Sequence, residues 1–379
     1  MKKIVIASDS FKGSLTSIQV AESAERGIFS VFPGCKVIKL AVADGGEGTA
    51  QAIVAARGGH FAGATAHDPL MRKIAVTYGV VDKGLTAIIN TAAASGLYLL
   101  GQDERNPLKA TTYGTGELIL NALKSGCHRI ILGTGGSATN DAGTGLLKAL
   151  GYKFPDACGK ELGYGGEILA KICSISGNCI RAEFSGTEFI VAYDVSNPFF
   201  GAEGSANIYG PQKGADAATV EELDRGMRHF AGVLERTYGI NVNDIAGSGS
   251  AGGTAGTIHA MLGARLMPGA RFVLESVGLA EALKGADLVI TGEGRIDRQT
   301  LSGKVPAEVL KLARQAGVPA VVIAGAVEGG EMLEKAGFAC IRNINDGYCG
   351  SGNVMAPGIA SLNIQNTVST MMREIGKNI

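Results

Sequence analysis

Apolar and polar positions alternate along this chain in two rhythms. Short β-branched runs such as Ile4-Val5-Ile6-Ala7 give way to stretches where apolar residues recur every three to four positions. The opening reads as strand 3–7, helix 16–31, strand 36–40 and helix 47–57, an order that predicts an α/β protein with a largely parallel sheet. Between 61 and 90 the rhythm changes to short strands around Asp68-Pro69 and Asp82-Lys83-Gly84, which predicts an antiparallel excursion and a domain crossing. A second series follows with helix 116–125, strand Arg129–Leu132, helix 141–150, a glycine-rich loop near 159–166 and strand Glu188–Ala192. Helix 219–238 carries an apolar stripe at Val220, Leu223, Met227, Phe230, Val233 and Leu234, which reads as a packing face. The last third alternates again: strand Ala286–Thr291, helix 305–316, strand Ala320–Ala324, helix 330–336 and a closing helix 362–375, with no repeat of fixed period.

The length of 379 residues predicts two domains with a cleft between them. Lys plus Arg number 35 and Asp plus Glu number 35, so the chain lacks the basic footprint of a nucleic-acid or anionic-lipid binder. A small-molecule partner is the expectation. No apolar run reaches a membrane span, and Met1-Lys2-Lys3 leads into a short strand rather than a signal-peptide core, so a soluble, unprocessed protein is expected. Seven cysteines without a C-x-x-C pair disfavour a disulfide framework or a zinc site and suit a reduced cytoplasm. The five histidines show no i, i+4 pairing, which leaves oxygen ligands for any metal.

Glycine changes the picture most. Its 57 residues are about twice ordinary usage and cluster between apolar runs, where backbone N–H groups can approach a ligand closely. Gly133-Thr134-Gly135-Gly136-Ser137-Ala138-Thr139-Asn140-Asp141 follows a strand and opens toward a helix, a geometry that suits a phosphate. The loop also fits G-x-G-x-x-A, but the acidic ribose ligand of a dinucleotide site would fall at Asp156, beyond Pro155 and without a convincing strand before it. A purely structural turn remains the other alternative. Gly247-Ser248-Gly249-Ser250-Ala251-Gly252-Gly253 matches G-x-G-x-x-G literally, yet follows a segment too short and polar for a core strand. Thr291-Gly292-Glu293-Gly294-Arg295-Ile296-Asp297 lies at the carboxyl end of a buried-looking strand, leaving Glu293, Arg295 and Asp297 as the side chains that matter, with a surface salt-bridged turn as the alternative. A Walker A loop is absent, since Ser302-Gly303-Lys304-Val305 lacks the upstream glycine and the following Ser/Thr.

Charged residues at strand ends add candidate chemistry. Asp9 follows the first strand and Asp44 the second, with Lys12 between them, a set suited to oxygen-ligated Mg2+ or a phosphorylated group. Capping of the following helices is the plainer alternative for Asp44 and Ser10. Asp194, in Asp194-Val195-Ser196-Asn197-Pro198, could accept a proton from an attacking hydroxyl or bind Mg2+, while Lys213, in Gly210-Pro211-Gln212-Lys213-Gly214, could neutralise phosphate charge. An Asx turn is the alternative at Asp194.

The order of these motifs resembles the type-1 glycerate kinase family over nearly the whole chain. The resemblance rests on Asp9-Ser10-Phe11-Lys12-Gly13-Ser14, Ala43-Asp44-Gly45-Gly46-Glu47-Gly48-Thr49, Ala94-Ser95-Gly96-Leu97 and Thr112-Tyr113-Gly114-Thr115-Gly116-Glu117-Leu118. It continues through Gly135–Asp141, Asp194–Pro198, Gly210–Ala215, Ile290–Asp297, Gln299-Thr300 and Gly303-Lys304. It implies ATP-dependent phosphorylation of D-glycerate, usually to 2-phosphoglycerate, with Mg2+. It also implies a Rossmann-like α/β domain of 1–65 with 286–379, a mixed α/β domain of 66–285 inserted into it, and an active site in the cleft between them.

In that reading Asp194 orients or deprotonates the hydroxyl, and Lys12 and Lys213 stabilise phosphate charge. Asp9 and Asp44 hold Mg2+ or its water shell; Arg295, with Ser14 and Asp297, binds glycerate. Gly133, Gly135, Gly136, Ser137, Asn140 and Glu293 serve the nucleotide phosphates. Homo-oligomerisation is left open. Three positions depart from the family's pattern: Ser8 where Pro is usual, Asn90 where an acid is common, and Tyr193 where Cys is frequent. Two rivals keep a stated motive: a nicotinamide-dependent oxidoreductase, from the G-x-G-x-x-A loop, and a glycerate-binding protein that lost phosphoryl transfer through Asn90.

Overall fold

The short β-branched runs become strands of two separate sheets. The computed structural model describes residues 1–177, 184, 186–301 and 303–376; Cys179 and Ser302 lie outside the described residues, as does the side chain of Gln299. One unit comprises Met1–Asp44, Gln51–Arg57 and Ala270–Ile379, and the other Gly45–Ala50 and Gly58–Gly269, so the long segment of the second interrupts the first. The boundaries differ from 65/66 and 285/286. Strand β3 (His60–His67) pairs antiparallel along its whole length with β4 (Lys73–Val81), and this ladder carries residues 60–65 into the second unit. At the other crossing, helices Gly269–Ser276 and Leu279–Leu283 fall almost wholly in the first unit.

The first unit is built on five parallel strands in the order β11 (Cys340–Asn343), β10 (Ala320–Val327), β9 (Leu288–Ile296), β1 (Lys3–Ile6) and β2 (Lys36–Lys39). Ile4, Val5 and Ile6 are fully buried, as strands covered on both faces require. Each such side chain contributes roughly 1.5–3 kcal/mol on burial. Helix Ser17–Phe29 starts at a capping box, with the Gln19 N–H donating to Thr16 Oγ1 and the Thr16 N–H to Gln19 Oε1. It packs against helix Pro357–Gly376 through Gly27, where a Cβ would lie 2.6 Å from the Gln365 carbonyl oxygen. Strand order reverses between β1 and β9, the position at which open α/β sheets place ligands.

β9 runs to Ile296, past the end at Thr291 that the pattern suggested, so Glu293 and Arg295 stand on the strand itself. Glycine is what permits this extension: a Cβ at Gly292 would sit 2.3 Å from the Ile323 carbonyl oxygen of neighbouring β10, and one at Gly325 would sit 2.7 Å from the Gly294 carbonyl oxygen.

The second unit holds six strands in sequence order: β3, β4, β5 (Thr86–Asn90), β6 (Arg129–Gly133), β7 (Glu188–Tyr193) and β8 (Arg265–Pro268). The β3–β4 and β4–β5 pairs are antiparallel and the rest parallel, the excursion that the 61–90 pattern implied. Helix Ala217–Tyr238 buries Met227, Phe230, Val233 and Leu234 in one core with Phe154, Leu146 and Ile258, and its first turns bury Leu223 against Ala206 and Ala215. Strands β8 and β11 escaped the pattern because four residues of mixed polarity carry no readable alternation. Among the described residues, no helix is long and apolar enough to cross a membrane.

Candidate active site

In the first unit the chain leaves β1 and turns tightly. The Phe11 N–H donates to the Leu15 carbonyl and the Leu15 N–H to that of Phe11, with Gly13 at φ 76° in the turn. Burying Phe11 and Leu15 throws Lys12 outward, where its Nζ lies 3.1 Å from Asp44 Oδ2. Ser17 Oγ secures the surrounding backbone by donating to the Ser8 carbonyl at 2.6 Å and accepting from the Val42 N–H at 2.9 Å. Asp9 is 6% exposed and accepts from the Ser10 N–H at 2.7 Å, while its own N–H donates to the Gly292 carbonyl of β9. Burial, reinforced by Asp44, pushes its carboxyl up to about 7 against the pull of the Ser10 N–H and Lys12.

Glu293 is buried on the adjacent strand. It accepts a short hydrogen bond from the Thr300 hydroxyl and faces Lys304 Nζ at 3.5 Å, and that lysine also lies 3.7 Å from Asp297. Burial raises the Glu293 carboxyl, and Thr300 and Lys304 oppose the rise. The Ser14 hydroxyl is buried with no hydrogen-bond partner, a group left for a ligand or water. Arg295 points elsewhere: it is exposed and pairs with Glu328 at 2.5 Å.

In the second unit the loop after β6 carries most of the expected residues, and the start of the helix that follows it is already occupied. The helix begins only at Thr144 and runs six residues, and Asp141 occupies its start. Asp141 is fully buried and accepts from the N–H groups of Thr112, Gly143 and Gly145 and from the Thr112 and Thr111 hydroxyls. Those amides are taken by the protein's own carboxylate, so a phosphate held by the helix N-terminus is excluded at this point. Burial raises the Asp141 carboxyl while these donors pull it down.

The cation of this loop is Lys213 instead. It is 2% exposed, and its Nζ donates to the Thr139 carbonyl at 2.7 Å and to Ser137 Oγ at 3.3 Å. Desolvation lowers it to about 8, against the opposing charges of Asp194 and Asp141. Asn140 is fully buried; its Oδ1 accepts from Ser205 and its Nδ2 has no hydrogen-bond partner.

Asp194 stands just beyond β7. Its Oδ1 accepts from Ser250 Oγ at 3.0 Å and Thr134 Oγ1 at 3.3 Å, and the two hydroxyl oxygens lie 2.7 Å apart. Burial and the Asp194 charge push Tyr209 up to about 12. Neither Ser250 nor Thr134 stood out as a site residue in the sequence. The literal G-x-G-x-x-G around Ser250 was the available signal, and it marks a turn that reaches back to Asp194. Gly135 is forced by this packing: a Cβ there would lie 2.5 Å from Gly46 Cα and 3.1 Å from Asp194 Oδ2.

Asp9 and Asp44 suit Mg2+ by their donor chemistry, since Mg2+ commonly takes one or two carboxylates and completes its shell with water and substrate phosphates. Repulsion between the two acids is also what a divalent cation would relieve. Among the described residues no group of three His, Cys, Asp or Glu side chains is placed to hold a metal by itself.

A profile described as the Glycerate kinase family matches residues 4–376. Glycerate kinase of Bacillus subtilis is 46% identical over 86% of this chain and 85% of its own length. Glycerate 2-kinase of Escherichia coli is 44% identical over 86% and 85%. The crystal structure of a putative glycerate kinase 2 from Salmonella typhimurium covers both chains fully, with TM-score 0.84 and 38% identity. With nearly its whole length matched, this chain belongs to the glycerate kinase family.

Proposed function

We propose that this kinase transfers the γ-phosphoryl group of ATP to the 2-hydroxyl of D-glycerate, giving 2-phosphoglycerate and ADP. The observation that carries the reading is Asp194, oriented through Oδ1 by Ser250 and Thr134 in the same unit as the buried ammonium of Lys213. A carboxylate so fixed can accept the proton of an attacking hydroxyl, and a desolvated cation can stabilise charge on a transferring phosphoryl group. Lys213 is already dry and held by Ser137 and Thr139, so it acts with little reorganisation.

Asp9 and Asp44 would hold Mg2+, which when bound neutralises charge on the nucleotide phosphates. Lys12, beside Asp44, adds a cation there, Lys304 ties Glu293 to Asp297 at the end of β9, and the orphaned Ser14 hydroxyl is a donor left for the substrate. Arg295 would reach the glycerate carboxylate by exchanging Glu328 for it, an exchange of one exposed ion pair for another that costs little. Consumption of ATP and the absence of a C-x-x-C pair suit the cytoplasm.

A coupled ADP-release assay with D-glycerate and Mg-ATP, followed by phosphorus NMR, tests this. Turnover with phosphate on carbon 2 is expected. Phosphate on carbon 3 would overturn the product, and no turnover with glycerate would overturn the acceptor.

A further inference from the structure

Residue 90 is where the family's pattern leads one to expect an acid, and the asparagine found there makes a contact that a carboxylate could not. Asn90 closes β5, in register with Gly133 of β6. Its Oδ1 accepts from the Ala92 N–H at 2.9 Å, and its Nδ2 donates to the Gly46 carbonyl at 3.0 Å. The next residue, Thr91, donates both its N–H and its hydroxyl to the Gly133 carbonyl at 2.8 Å. One short segment therefore ties down two glycine turns.

Those turns meet without room for a side chain. A Cβ at Gly133 would lie 2.6 Å from the Gly45 carbonyl oxygen, and one at Gly45, which sits at φ 102°, would lie 3.0 Å from the Ala192 carbonyl oxygen at the end of β7. A Cβ at Gly135 would meet both Gly46 Cα and Asp194 Oδ2. The Gly45–Gly46 turn is thus wedged over the ends of β6 and β7, against the face of Gly135 that Asp194 also approaches.

We propose that Asn90 is a positioning residue for the reaction: its carboxamide clamps the Gly45–Gly46 turn and thereby fixes the wall beside which the Asp194 carboxylate is held. The inference rests on Asp194 being the proton-accepting group. An ionised acid at position 90 has no hydrogen to offer the Gly46 carbonyl and sets two acceptors against each other. Restoring the family's acid would therefore weaken this enzyme.

The test is Asn90→Asp, nearly identical in shape, made alone and with Asp194→Asn. Alone it should lower kcat, counted per folded molecule, at least tenfold while KM for ATP and for glycerate stays within about threefold, and an unchanged unfolding midpoint separates this from a loss of folded protein. In the Asp194→Asn background it should cost less than twofold further, because the group it positions is gone. Hydrogen exchange at Gly46–Thr49 should quicken at least tenfold with the unfolding midpoint unchanged.

Asn90→Ala, which removes both hydrogen bonds and adds no charge, should give the same split if the aspartate folds poorly. An equal loss in both backgrounds, or unaltered exchange at the turn, overturns the proposal. If the wild-type protein fails to phosphorylate glycerate, the functional reading falls, and the exchange measurement still decides whether Asn90 clamps the turn.

Discussion

At the ends of β1 and β9 the first unit gathers Asp9, Asp44 and Glu293, with Lys12 reaching out to Asp44 in solvent; beyond β6 and β7 the second unit gathers Asp194, two hydroxyls and a fully buried Lys213. Both clusters occupy the carboxyl edge of parallel strands, and the strongly perturbed buried group is an acid in the first and a lysine in the second. The same force acts on each: removal from water favours the neutral form, so Asp9 rises to about 7 and Lys213 falls to about 8. An acid held near neutrality beside a second acid is prepared for a cation. A lysine loosened from its proton yet faced by Asp194 and Asp141 is prepared for an anion that restores its charge.

The largest effect should come from removing the second unit's acid. Asp194→Asn keeps the shape and loses the proton acceptor, and kcat should fall by about 10²-fold or more. Near-normal turnover would take Asp194 out of the chemistry and leave the second unit with a binding role only.

Lys213 gives a pH signature with a definite sign. Only its charged form stabilises phosphate, and that form is lost as pH rises through about 8, so kcat/KM should fall on the alkaline side. Lys213→Met should remove that limb together with most of the activity, by about 10-fold to 10²-fold. An alkaline limb that survives the substitution would assign it to another group.

The first unit yields the smallest effect, on stability. The folded state holds a proton on Asp9 between about pH 4 and about pH 7 that the unfolded chain has released, so stability contributed by the neutral acid is lost as pH rises across that window. Asp9→Asn should then be more stable than the wild type at pH 8 without Mg2+, by on the order of 2–4 kcal/mol, and similar to it near pH 4. Thermal unfolding at both pH values reads this directly. A difference that does not change with pH would mean that burial is not what perturbs Asp9.

The strands and long helices were legible because burial imposes a period. Ile4–Ile6, Ile130–Leu132 and the stripe of helix Ala217–Tyr238 are arranged as the sheets require. That Asp9 and Asp194 stand just beyond strand ends was legible too, because an acid after a short apolar run marks where the run stops. What sequence could not yield were partners distant along the chain. Ser250 and Thr134 meet at Asp194 across separations of 56 and 60 residues, and no local pattern encodes that.

The loop 133–141 shows the limit most clearly. A strand, glycines and a helix suggested amides aimed at phosphate; the fold turns Asp141 inward onto the amides of Gly143 and Gly145 at the helix and brings Lys213 from 74 residues away to the Thr139 carbonyl. By itself the sequence determined which groups are present, which elements carry them and which family the motifs resemble, since these follow from residue type and spacing. Tertiary structure alone decided which amides are already satisfied, that Arg295 is paired with Glu328, and that Asn90 reaches Gly46. Hydrogen bonding and desolvation depend on atoms brought together through space, and a buried donor takes whichever acceptor the packing brings to it.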